Sequence, residues 1–153
     1  MLKYTEHDLD IMALTVWAEA RGESLKGQRA VAWVIRNRLE SPGWWSRQKG
    51  DGIPDDTIEA VCRDPWQFSC WLTSDPQSHV IKNPDTLRIT AVREIRKLCT
   101  AVLSESRDDD PSLGSDHYCT VAVIPKTRWA KDRTPVVVIG RHAFFRIGLD
   151  GNG

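Results

Sequence analysis

The chain has no surplus of charge: 21 lysines and arginines balance 21 aspartates and glutamates across 153 residues. A neutral chain has no bulk attraction for nucleic acid or anionic lipid, so neither nucleic acid nor membrane is expected as a partner. No apolar run approaches the roughly 20 residues that a membrane-spanning helix needs. The opening Met1-Leu2-Lys3-Tyr4-Thr5-Glu6-His7-Asp8 lacks the basic and apolar regions and the small-residue cleavage site of a Sec-type signal. Repeats, low-complexity segments and interdomain linkers are missing too, and at this length one domain over residues 1–153 is expected. The four cysteines, Cys62, Cys70, Cys99 and Cys119, include no Cys-x-x-Cys pair, and His7, His79, His117 and His142 show no zinc-binding spacing. No metal and no other cofactor is expected. Cys99 and Cys119 read as buried free thiols, whereas Cys62 and Cys70 are close enough in sequence to bridge in an oxidising compartment.

What is present is mainly helical pattern. Thr5 with Asp8 three residues on forms a capping-box start, and Leu9, Met12, Ala13, Val16, Trp17 and Ala20 follow at helical spacing up to Gly22. Ser24 caps a second helix, apolar at Ala30, Val31, Val34 and Ile35, which runs to about Leu39 before Pro42-Gly43. Residues 44–55 read as a long loop, residues 57–62 as a short helix stopped at Asp64-Pro65, and the stretch through His79 as polar coil. Asn83-Pro84 opens a long helix with Leu87, Ala91, Ile95, Leu98 and Val102 on one stripe, ending near Glu105. Beyond Gly114 the runs 118–124, 136–139 and 143–147 are β-branched or aromatic and read as a small antiparallel sheet. Helices first and strands last predict an α+β domain with a cleft between its two parts. Lys126, Arg128, Lys131, Arg133, Arg141 and Arg146 make the C-terminal part locally basic, mostly as a solvated face.

Glu19 lies at the border of the first helix's apolar face and near its C-terminal end. Partial burial and the negative helix end both disfavour a charged carboxylate there, which is the condition a proton donor needs. The competing reading is a salt bridge to Arg21 or another arginine that anchors the turn. Glu23 falls after Gly22 and is expected to hold that turn. A paired-carboxylate glycosidase needs a second acid, for which Glu23, Asp64 and Asp116 are the candidates. Trp17 and Trp33 read as core, whereas Trp44, Trp45, Trp66, Trp71 and Trp129 fall in or beside loops, where cleft lining is expected, Trp71 before Trp44.

Ala18-Glu19-Ala20-Arg21-Gly22-Glu23, then Gly27-Gln28, Ala30-Val31-Ala32 and Asn37-Arg38, resembles the opening of the SleB-type cell wall hydrolases, a family named for the spore-cortex lytic enzyme. Gln67-Phe68-Ser69 with Trp71, Gly114 through His117-Tyr118, Trp129, and Gly140-x-His142-x-Phe144-Phe145 resemble later segments of the same family in order, from about Leu9 to Phe145. The resemblance implies a lysozyme-like fold, mainly helical with its small sheet near the C-terminus, acting on the glycan strands of peptidoglycan. It also implies Glu19 as catalytic acid/base for the β-1,4 bond between N-acetylmuramic acid and N-acetylglucosamine. As a lytic transglycosylase the glutamate protonates the glycosidic oxygen and then deprotonates the muramic C6 hydroxyl, so no second carboxylate is required. Attack by water would make the chain a muramidase.

Gln67, Phe68, Trp71, His117 and Tyr118 are the expected substrate contacts. Glu23, Asp116 and His142 are candidates for a second carboxylate or for support. Asp116 stands where the family's segment more usually has a small or hydroxyl residue, and reads either as that second acid or as an exposed aspartate at a strand start. A phage endolysin is the expected setting: a monomer made in the host cytoplasm, reaching the wall, or the periplasm of a Gram-negative host, through a holin-type pore, and causing lysis. The alternatives are a catalytically silent glycan-binding or phage-structural module and a peptidoglycan amidase.

Overall fold

A computed structural model describes residues 2–42, 55–64 and 67–148. Helix α1 (Glu6–Ala20) starts at the expected capping box, with Asp8 N donating to Thr5 Oγ1 and Thr5 N to Asp8 Oδ2, each at 3.0 Å. It is buried on nearly all sides, with Met12, Ala13 and Val16 wholly enclosed, as befits a central helix. Helix α2 (Leu25–Glu40) starts where Gly27 N donates to Ser24 Oγ. Helix α3 (Ile58–Arg63) starts where Ala60 N donates to Thr57 Oγ1. Asp8 also accepts a bond from Glu59 N at 3.0 Å, which ties the start of α3 to the start of α1.

The run through His79 contains a five-residue helix, α4 (Gln77–Ile81), rather than coil. The long helix expected from Asn83-Pro84 is split. Pro84–Arg88 is a 3₁₀ turn, Ile89 is extended, and α5 (Thr90–Ser104) begins only there. Asn83 caps the turn through Asp85 N, while the Thr86 hydroxyl donates back to the carbonyl of Val80. That tie holds the turn to α4 and off the axis of α5. Helix α5 packs Val92, Ile95, Cys99 and Val102 against α1 and α2. Its last carbonyls, normally orphaned, are met by Arg36, which donates to Val102 O at 2.7 Å, with Glu105 O at 2.8 Å just beyond.

The sheet has three antiparallel strands, β1 (His117–Thr120), β2 (Val137–Ile139) and β3 (His142–Phe145), in the order β1-β3-β2. The first strand is shorter than residues 118–124 suggest. Its ladder on β3 ends at Thr120 opposite His142, where β3 begins after the Gly140–Arg141 turn, with one more bond from Val121 N to Arg141 O at 2.8 Å. Residues 121–126 become a 3₁₀ helix containing Pro125. β3 is buried on both faces: Phe144 enters the helical core, while Ala143 and Phe145 join Ala130, Ile147 and Trp129 in a second cluster behind the sheet. Trp129 therefore packs edge-on to Phe145 rather than lining a cleft. Trp33 is core as expected, and Trp17 packs partly buried against that core. Trp44, Trp45 and Trp66 lie outside the described residues, as do 44–54 of the expected loop. All four cysteines are free thiols, three of them buried.

Candidate active site

Glu19 sits in the last turn of α1, half-buried, with its carboxylate facing two other elements. The Tyr118 hydroxyl, from β1, donates to Oε2 at 3.0 Å, and Cys70 N, from the 3₁₀ turn Ser69–Trp71, donates to Oε1 at 3.4 Å. Burial, with the charge of Glu19 adding to it, pushes the Tyr118 phenol well above its ordinary value, so that hydroxyl remains a donor. Trp71 follows directly and anchors its Nε1 on Thr15 Oγ1 at 2.9 Å, one helical turn before Glu19. Phe68 is buried beneath Tyr118, with ring centroids 6.4 Å apart, and Arg38 lies over its other side. Gln67 is half-exposed and accepts from Arg38 Nη1 at 3.0 Å, and no acceptor for its amide nitrogen is found among the described residues.

Arg38 carries more than its place in a sequence motif suggests. It is buried on α2, and its Nε donates to Asp116 O at 2.7 Å. One guanidinium thus fixes both Gln67 and the entry to β1. Its neighbour Asn37 donates to Asp110 Oδ2 and Ser115 O, holding the loop that precedes the strand. The run Arg36-Asn37-Arg38, three polar residues inside an apolar helical stretch, is the local signal for this role.

The turn after Glu19 is tied to the sheet. Glu23 accepts from Arg141 N at 3.0 Å and Arg141 Nε at 3.2 Å, and these bonds outweigh burial to hold its carboxyl below the ordinary value. His142 Nδ1 is 3.8 Å away, beyond hydrogen-bond reach, and burial lowers the pKa of that imidazole. Gly140 has φ +58°, and a Cβ there would meet Glu23 Oε1 at 2.9 Å. The glycine of the Gly140-x-His142 segment therefore answers both a left-handed turn and a close approach.

Asp116 and His117 form a separate pair. Asp116 is buried, not exposed, and accepts from His117 Nδ1 at 2.9 Å, Ile147 N at 2.8 Å and Gly148 N at 2.9 Å. Those three donors outweigh burial and hold its carboxyl below the ordinary value. Burial pushes the His117 imidazole down to about 4 against the pull of Asp116, so it is neutral and keeps Nδ1–H for that contact. Successive strand residues face opposite ways, so His117 packs on Trp129 at 4.8 Å while Tyr118 reaches Glu19. The structure sets Tyr118 on Glu19, Trp71 on Thr15 one helical turn earlier, Phe68 under Tyr118 and Gln67 on Arg38, and keeps His117 and Asp116 on the far side of the sheet.

A sequence model of the family described as Cell Wall Hydrolase matches residues 22–145, starting three residues after Glu19. The chain is similar to a spore cortex-lytic enzyme of Halalkalibacterium halodurans, with 33% identity over 144 residues, covering 92% of this chain and 35% of that protein. It is also similar to a spore cortex-lytic enzyme of Bacillus subtilis, with 29% identity over 143 residues, covering 92% of this chain and 38% of that one. The chain thus spans little more than a third of the length of these relatives. Among solved structures, the catalytic domain of the germination-specific lytic transglycosylase SleB from Bacillus anthracis matches with a TM-score of 0.67 and 25% identity, covering 95% of this chain and 99% of that one. The catalytic domain of the Bacillus cereus SleB protein matches with a TM-score of 0.68 and 25% identity, covering 95% and 94%.

Proposed function

The chain belongs to the cell wall hydrolase family, and from that premise we propose that it is a lytic transglycosylase cleaving the β-1,4 bond between N-acetylmuramic acid and N-acetylglucosamine in peptidoglycan. The observation that carries the reading is that, among the described residues, neither Glu23 nor Asp116 is available to Glu19 as a partner acid. The Glu19 carboxylate is half-buried and steadied by Tyr118 and Cys70, whereas Glu23 is spent on Arg141 and Asp116 on His117 and two backbone amides. A lone acid suits intramolecular closure. Protonated Glu19 gives its proton to the glycosidic oxygen as the muramic C1–O bond breaks. The carboxylate then takes the proton of the C6 hydroxyl as O6 bonds to C1, closing a 1,6-anhydro ring and restoring the acid. No water is consumed.

Tyr118 orients the carboxylate by donating its hydroxyl to Oε2. Gln67 offers its amide N–H to an N-acetyl carbonyl or sugar hydroxyl and Trp71 supplies apolar wall, while Phe68, buried, backs Tyr118 from beneath. Mass spectrometry of digested sacculi tests the reading. Anhydro-muropeptides are expected; reducing-end products would instead make the chain a muramidase, and severed stem peptides on intact glycan would sink both. The finer proposal is a monomeric phage endolysin. Expressed in a Gram-negative host, it should leave cultures turbid until the inner membrane is opened, after which they clear. Lysis without permeabilisation would refute dependence on a holin-type pore.

A further inference from the structure

On the N-terminal half of α1 lies a cavity of about 270 Å³ that has no part in holding Glu19. Its floor is apolar, formed by Ile11, Leu14, Trp71 and Leu87, and its rim carries Arg63 and Lys82. Trp71 is shared: the same 3₁₀ turn gives Cys70 N to Glu19 and the indole to this floor. The rim is positive on balance. Asp10, the one acid lining it, is bound by Arg96 at 2.7 Å, while Lys82 is exposed and makes no ion pair among the described residues. Arg63 lies over the Trp71 ring at 5.2 Å and shares Glu59 with His7 at a solvent-exposed edge.

Ile11 and Glu19 are eight residues apart on one helix, about 12 Å along its axis at 1.5 Å per residue. An extended peptide covers that span in roughly three to four residues. A muramic acid at the scissile bond carries just such a chain on its lactyl group, a short peptide with small apolar side chains and free carboxylates. We propose that the cavity receives this acidic stem peptide, its carboxylates meeting Lys82 and Arg63 and its apolar groups the floor beside Trp71. The inference rests on the muramic-acid substrate of the preceding section and gives the enzyme a preference for peptide-bearing glycan.

Two readouts separate the inference from that premise. With intact sacculi and sacculi stripped of peptides by an amidase, KM for the intact polymer should be roughly five- to tenfold lower. Lys82→Glu should abolish the difference and Lys82→Arg restore it. In parallel, co-sedimentation of the Glu19→Gln chain with the two polymers reads contact without cleavage and should show the same preference. Equal KM and equal sedimentation would overturn the peptide site while leaving glycan cleavage standing. Preferential sedimentation with no cleavage of either polymer by the unaltered chain would support the peptide site and defeat the transglycosylase reading.

Discussion

The two faces of the small sheet use adjacent residues for opposite purposes. On the face toward the helices, Tyr118 spends its hydroxyl on the half-buried carboxylate of Glu19. On the far face, His117 and Asp116 satisfy one another and the backbone of Ile147 and Gly148, closed in by Trp129 and Phe145. Both contain an aromatic or imidazole donor beside an acid, and both read as chemistry in sequence. Commitment separates them: the acid behind the sheet is buried and has three donors, whereas Glu19 is half-buried and has two among the described residues.

The sharpest way to break that contrast is to alter each acid in turn. Glu19→Gln preserves shape but cannot cycle a proton, and should lower turnover by about a thousandfold or more with an unchanged thermal midpoint. Substantial remaining activity would remove Glu19 from the role. Asp116→Ala should act on stability instead. It strips three hydrogen bonds and leaves buried N–H groups unmet, for a loss of about 3 kcal/mol, or roughly 10 °C in thermal midpoint. A fully folded but inactive Asp116→Ala protein would give the far face a share in the chemistry.

Acid should find the far face next. The folded pKa of His117 is about 4 against an ordinary 6.5, so the unfolded chain binds more protons between those values. Stability is then fully present above pH 6.5 and falls as pH drops toward 4, at up to about 1.4 kcal/mol per pH unit. Asp116, also depressed, adds its loss only below its ordinary 3.8. Thermal melts across pH 7 to 4 check this, and the slope should flatten in His117→Gln. Tyr118→Phe should have the smallest effect, about a tenfold loss in kcat with KM and stability little changed. A KM change of that size with kcat intact would make Tyr118 a sugar contact rather than a positioning residue.

Local signals were the legible part. Thr5 and Ser24 each cap the helix their spacing announces, because capping is decided within four residues. Glu19 was legible from helical phase and its motif, and Glu23 from the glycine before it. The split at Ile89 was not, since Asn83-Pro84 signals a helix start without its length, and the tie from Thr86 to Val80 decides the rest. Nor was the short first strand, because a strand extends only while its partner does. Asp116 and Trp129 looked exposed for the same reason: the layer that covers them is brought up by the chain's return through residues 121–133, which no local pattern states.

The clasp between Glu23 and the Gly140–Arg141 turn makes the cleft a kinematic mount. α1 presents the acid and β1 the tyrosine, but the spacing between helix and sheet is gauged by a single glutamate side chain a few residues beyond the acid. An aspartate in that place, shorter by one methylene, could reach the turn only by drawing the sheet inward. In the proposed mechanism, alignment of the Glu19 carboxylate is thereby delegated to a residue committed to the Gly140–Arg141 turn, and sequence drift at the mouth of the cleft can proceed without losing it.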